Sequence, residues 1–230
     1  MDYMIKETDY IAYFDSLLKG DKKKCIQIVS RISNESSRLE DIYMGLIQRS
    51  MYRIGDLWDK GRISIAEERI ASDISLNIID LLYPKAAASK KKGLKVLITC
   101  IDKEHHSIGA RMVSDLFELN GWDSTFIGPC VPHSDIMTIV RSTSANLIGI
   151  SSNFYINVRR LIELIEEIKK EFPLQEIIVG GQIFSGGGEE ILRNYKKVSY
   201  AASPKMLEKY LKRPPAPNAK KMKIASKNSK

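Results

Sequence analysis

Histidine and cysteine are both scarce in this chain, with three of each in 230 residues. Cys25, Cys100 and Cys130 stand far apart, and none belongs to a CxxC pair. That spacing excludes a disulfide framework and a cysteine-rich metal site, and it fits a reducing cytoplasm. Long apolar runs are missing too, so no membrane-spanning helix is expected. The opening MDYMIKETDY has acidic residues and no apolar core, so a secretory signal is not expected. No long internal repeat occurs, and no helix-turn-helix module precedes the first helices.

Acidic residues are absent from 212–230, where seven Lys and Arg give most of the net charge of +8. This segment, KRPPAPNAKKMKIASKNSK, has the composition of a disordered basic tail. No aromatic residue interleaves its lysines, so base stacking is not offered there. Nucleic acid is expected as a partner only through this tail.

What the protein does have is two contrasting patterns. The first half is helical. TDYIAYFDSLL (8–18) and KKKCIQIVSRI (22–32) are short amphipathic helices separated by Gly20-Asp21. Ser37-Arg38-Leu39-Glu40 reads as a capping box opening a long helix through Ile42, Leu46, Ile47, Ile54 and Trp58 to Gly61. A second box, Ser64 to Glu67, opens a helix through Ile70, Ile74, Ile78, Ile79 and Leu82 to a break at Pro84. Four such helices make a bundle over 1–84. Residues 85–93, KAAASKKKG, lack large apolar side chains and read as a linker.

From Leu94 to 211, strand and helix patterns alternate. Strands are expected at 94–100, 124–127, 147–150, 177–179 and 198–201. Helices are expected at about 107–119, 134–142, 157–171, 188–194 and 204–211. A βα succession of this kind folds as a parallel sheet with helices on both faces. In strand order 2-1-3-4-5, the loops after the first, third and fourth strands share one cleft at the switch point.

Those three loops carry the chemistry. The first holds Glu104-His105-His106-Ser107-Ile108-Gly109. A carboxylate two residues from an imidazole can fix its tautomer and leave the other nitrogen to a metal. The third strand ends in Ser151-Ser152-Asn153, and the fourth ends in Gly180-Gly181. Hydroxyls, an amide and small residues there suit a flat group passing against the sheet. His133, after Pro132, reads as a surface or capping residue. Gly186-Gly187-Gly188 reads as a flexible turn, because it lacks a GK[ST] ending.

Glu104-x-His106-x-x-Gly109, Ser151-x-Asn153 and Gly180-Gly181, at these separations, resemble the cobalamin (vitamin B12)-binding domain family. The resemblance implies a Rossmann-like, flavodoxin-like fold for 94–211. It implies His106 as lower axial ligand of cobalt, oriented by Glu104. Ser107, Ile108, Gly109, Ser151, Asn153, Gly180 and Gly181 would then line the cofactor and its displaced nucleotide tail. Glu104 stands where the family usually has Asp, and Asn153 where it usually has Leu or Thr.

The segment Ile54-Gly55-Asp56-Leu57-Trp58, with Gly61 and Ser64 to Glu68, resembles the helical cap of cobalamin-dependent photoreceptors and transcriptional regulators. That resemblance implies Trp58 and Glu68 beside an upper ligand, commonly deoxyadenosyl. Asp59 and Arg69 replace histidines common in that group. The main expectation is therefore a non-enzymatic cobalamin sensor, with adenosylcobalamin or methylcobalamin, that reports to a regulator, a kinase or a methyltransferase. The alternative is a corrinoid methyl carrier of a multicomponent methyltransferase system, since such carriers also join a short bundle to a cobalamin domain. A homo-oligomer is left open.

Overall fold

A computed structural model describes residues 5–35 and 38–214. The protein divides into two compact units between Ala88 and Ser89.

The first unit is helical. Helix α1 spans Glu7–Leu18 and α2 spans Lys22–Asn34. Helix α3, Leu39–Ile42, continues through a π-helical stretch, Tyr43–Gln48, into α4, Arg49–Asp59. Helix α5 spans Ile65–Ala87. The apolar stripes read from the sequence do form the core: Cys25, Ile28, Val29, Ile42, Leu46 and Ile78 are buried. Two residues read into the same stripes, Trp58 and Ile70, are exposed instead. Ser37, expected to open the long helix, lies outside the described residues.

The π-helical stretch was not legible, because its side chains, Tyr43 through Ile47, are all buried and fit an ordinary helical pattern. Pro84 does not break α5. It removes a single N–H, and the turn beyond it is held by buried Ala86 and by Lys85, whose ammonium donates to Ser33 O at 2.5 Å. The linker expected from Lys85 is therefore helical as far as Ala87.

The capping box at Ser64 is formed as expected. Glu67 Oε2 accepts from Ser64 N and from Ser64 Oγ, both at 2.7 Å, and Ser64 Oγ accepts from Glu67 N. The backbone and hydroxyl hydrogen bonds from Ser64 hold the Glu67 carboxyl below its usual range. A carboxyl depressed on folding adds stability above its unfolded pKa and loses it as pH falls through the folded value. Glu67→Gln is thus expected to be less stable than wild type near pH 7. The gap should close below about pH 4, which thermal unfolding across a pH series will show.

The second unit is a five-stranded, all-parallel sheet in the order β2-β1-β3-β4-β5. The strands are β1 Lys95–Cys100, β2 Asp123–Phe126, β3 Leu147–Ser151, β4 Ile177–Gly180 and β5 Val198–Tyr200. Helices α6 Ile108–Leu119, α7 His133–Thr143, α8 Val158–Glu171 and α9 Pro204–Leu211 connect and flank them. One face packs on α7 and α8 through Leu97, Ile148, Ile150, Leu161, Leu164 and Val179. The other meets α6 and α9, through Ser124 Oγ to Ser114 Oγ at 2.9 Å and Ser199 Oγ to Tyr210 Oη at 2.6 Å. Residues Glu189–Asn194, expected as a helix, form a 3₁₀ segment. Strand order, and with it the switch point between β1 and β3, agrees with the reading from sequence.

Candidate functional site

The C-terminal ends of β1, β3 and β4 stand side by side. Cys100 pairs with Ser151, and Ser151 with Gly180. Register partners in a parallel sheet share a face, so these three small residues form a row on the α6 side. A Cβ added to Gly180 would meet nothing within 4 Å, and the same holds at Gly109 in the first turn of α6. This edge therefore has open space beside Ser151.

Gly181 lacks a side chain for a different reason from the one expected. Its φ is +87°, and a Cβ there would lie 2.1 Å from Ser152 O. Only glycine lets this loop come so close to the end of β3. Of the glycine pair, Gly180 leaves room and Gly181 serves the protein's own packing.

Glu104 is the hub of the loops. It is 1% exposed. Oε1 accepts from His106 Nδ1 at 2.7 Å and from His106 N at 3.0 Å. Oε2 accepts from Asn153 N at 2.8 Å. Burial pushes the Glu104 carboxyl up. The hydrogen bonds from the His106 ring, His106 N and Asn153 N, with the attraction of the His106 ring, outweigh that and hold it below the usual carboxylate range. An ionised carboxylate at Nδ1 fixes the neutral imidazole as the Nδ1–H tautomer, with its lone pair at Nε2. The His106 side chain is 52% exposed.

Phe154 and Cys130 were not singled out from sequence as neighbours of the histidines, whereas Ser152, His133 and Gly188 were named there. The Phe154 ring stands edge-on to the His106 ring, with centroids 5.0 Å apart and planes at 77°. Phe154→Ala should leave folding nearly unchanged, since the ring is 46% exposed. It should free the His106 ring, seen as broader imidazole resonances in NMR. Ser152 is fully buried, and its hydroxyl has no partner among the described residues. Cys130, with φ +58°, brings Sγ within 3.1 Å of His105 Nδ1 and within 3.4 Å of Glu104 O. His133 Nε2 lies 2.8 Å from Glu167 Oε2 on the α7–α8 side. Gly188, with φ +97°, gives the Tyr155 ring a surface to lie on.

Trp58 and Glu68 belong to the helical unit. Trp58 is 42% exposed at the end of α4, so it is not part of the bundle core. Glu68 accepts from Ser72 Oγ at 2.7 Å, and Arg69 Nε is 4.0 Å from its Oε2.

Among the described residues, no group of three His, Cys, Asp or Glu could hold a metal ion. The donor set is one imidazole backed by one carboxylate, next to a row of small residues. It fits a metal that brings its other ligands in a macrocycle. The class so defined is an α/β domain with a carboxylate-backed imidazole and open space at its switch point.

Comparison with known proteins gives the family. Two models described as B12 binding domains match residues 94–204 and 12–83. The chain belongs to the B12-binding family, and its cofactor is cobalamin. It is 27% identical over 170 residues to dimethylamine corrinoid protein 3 of Methanosarcina acetivorans, covering 73% of this chain and 79% of that one. A dimethylamine corrinoid protein 2 of Methanosarcina mazei is 27% identical over 172 residues, with the same coverage. The structure of the Methanosarcina barkeri monomethylamine corrinoid protein superposes with a TM-score of 0.76 at 14% identity, over 90% of this chain and 99% of that one. At that identity the likeness is one of fold. No helix among the described residues is long and apolar enough to cross a membrane.

Proposed function

We propose that this protein is a corrinoid methyl carrier, holding cobalamin with His106 as lower axial ligand and serving separate methyltransferases. The observation that carries the site is the 2.7 Å bond from His106 Nδ1 to buried Glu104, on a histidine whose side chain is 52% exposed. The preference for a carrier over a sensor comes from the relatives, which are named as corrinoid proteins of dimethylamine. Bound cobalamin would supply a cobalt centre that accepts and gives up a methyl group.

The protein's own residues do the rest. Glu104 holds the imidazole oriented through Nδ1. Ser107, Ile108 and Gly109 open α6 beside the histidine. Ser151 and Gly180 border the space a displaced nucleotide tail would take. The proposed division is a helical unit, a short linker, the cobalamin domain through 211 and a basic tail. A cytoplasmic location goes with this reading.

A sensor remains the second reading, on the exposure of Trp58 at the surface of the helical unit. The two separate on reconstitution in the dark. A carrier takes hydroxo-, methyl- and adenosylcobalamin with similar affinity, and its reduced form is methylated by a partner methyltransferase. Strong preference for adenosylcobalamin, with a light-driven change in mass, would contradict the carrier. His106→Ala should lose the histidine-ligated spectrum and bind at least about tenfold more weakly.

A further inference from the structure

We infer that Asn153 is a positioning residue for His106, acting through the histidine's backbone and not by touching the cofactor. The inference rests on His106 as the cobalt ligand. Its basis is a set of three hydrogen bonds made by one residue. Asn153 N donates to Glu104 Oε2 at 2.8 Å. Asn153 Nδ2 donates to His106 O at 3.4 Å, and Asn153 Oδ1 accepts from Gln182 N at 3.2 Å. Asn153 thus ties together the loops that leave β1, β3 and β4.

The consequence for His106 is specific. Its backbone N–H is held by Glu104 Oε1, and its backbone carbonyl by the Asn153 amide. The peptide groups on both sides of the histidine Cα are fixed, and Glu104 then fixes the ring at Nδ1. A ligand imidazole held this way loses little freedom when it meets a metal, and such outer supports set how firmly the ligand is presented. Each half of the Asn153 amide makes one hydrogen bond within the protein. Leucine offers neither bond, and a threonine hydroxyl is too short to span both loops. Gly181 belongs to the same device, because its missing Cβ would stand 3.1 Å from Asn153 Oδ1.

The test uses the whole protein loaded with cob(II)alamin, with histidine labelled by ¹⁵N. Electron paramagnetic resonance then shows a two-line splitting only where a histidine nitrogen binds cobalt. Wild type is expected to show it in nearly all bound cofactor. Asn153→Leu is expected to bind cobalamin more weakly, with the unsplit signal raised severalfold in the cofactor that is bound. Hydrogen exchange on the cofactor-free protein gives a second readout, with faster exchange expected at the Gln182 amide in Asn153→Leu. A fully split signal in Asn153→Leu would overturn the positioning role. Exchange at Gln182 unchanged from wild type would overturn it as well, even if the variant bound no cofactor. An unsplit wild-type signal would instead sink the ligand assignment of His106, and this inference with it.

Discussion

Glu104→Ala should lower the unfolding temperature of the α/β unit by roughly 5–15 °C and weaken cobalamin binding by about 10–100-fold. The carboxylate is 1% exposed and accepts three hydrogen bonds, from His106 Nδ1, His106 N and Asn153 N. Alanine removes the acceptor and leaves three donors facing a cavity. Unmet donors of this kind cost about 1–3 kcal/mol each where water cannot replace the partner. Partial access of water through the His106 side brings the expected total to about 2–4 kcal/mol. The loss of affinity has a separate cause. Without Glu104, nothing selects the Nδ1–H tautomer, and the ring rotates away from its one productive orientation. Glu104→Gln should fall between alanine and wild type, since one amide oxygen cannot serve donors on both sides. Thermal unfolding and cofactor titration check the two effects independently.

Gly181→Ala is the second large effect, and Gly180→Ala its contrast. At Gly181 the backbone has φ +87°, and the new Cβ would sit 2.1 Å from Ser152 O and 2.8 Å from Ser152 C. The left-handed conformation alone costs alanine about 1–2 kcal/mol. Relieving the clash moves a carbonyl that accepts from Ile183 N at 3.1 Å, adding about 1–3 kcal/mol. Gly181→Ala should therefore destabilise by about 2–5 kcal/mol. At Gly180 the new methyl enters open space beside Ser151. Gly180→Ala should leave stability within about 0.5 kcal/mol of wild type yet weaken cobalamin binding, because the methyl takes room at the cleft. Equal destabilisation of both variants would remove the distinction drawn between the two glycines.

Much of this arrangement was readable from residue order. Apolar periodicity in 94–211 gave all five strands, and alternation with helices implied the parallel sheet whose switch point gathers the three loops. The Glu104–His106 spacing announced its hydrogen bond, because two residues on one loop cannot be far apart. What was not readable depends on loops that meet across the sequence. Asn153 reaches His106 and Gln182, and Cys130 reaches His105, only once β1, β2, β3 and β4 are aligned. The two glycines look alike as letters, and only the position of Ser152 O separates them. Pro84 misled because local preference was outweighed by burial of Ala86 and the Lys85–Ser33 contact. The expectation of a sensor came from the Trp58 segment, and its corrinoid relatives moved the proposal to the carrier that had stood as the alternative.

The central claim is that His106 holds cobalamin from below. The most direct measurement is the absorption spectrum of the purified protein titrated with hydroxocobalamin, beside His106→Ala. Wild type is expected to bind one cofactor per protein molecule, with the nucleotide base displaced and imidazole bound, and His106→Ala to lose that spectrum. A wild-type spectrum with the cofactor's own base still on cobalt, or identical spectra for both proteins, would contradict it.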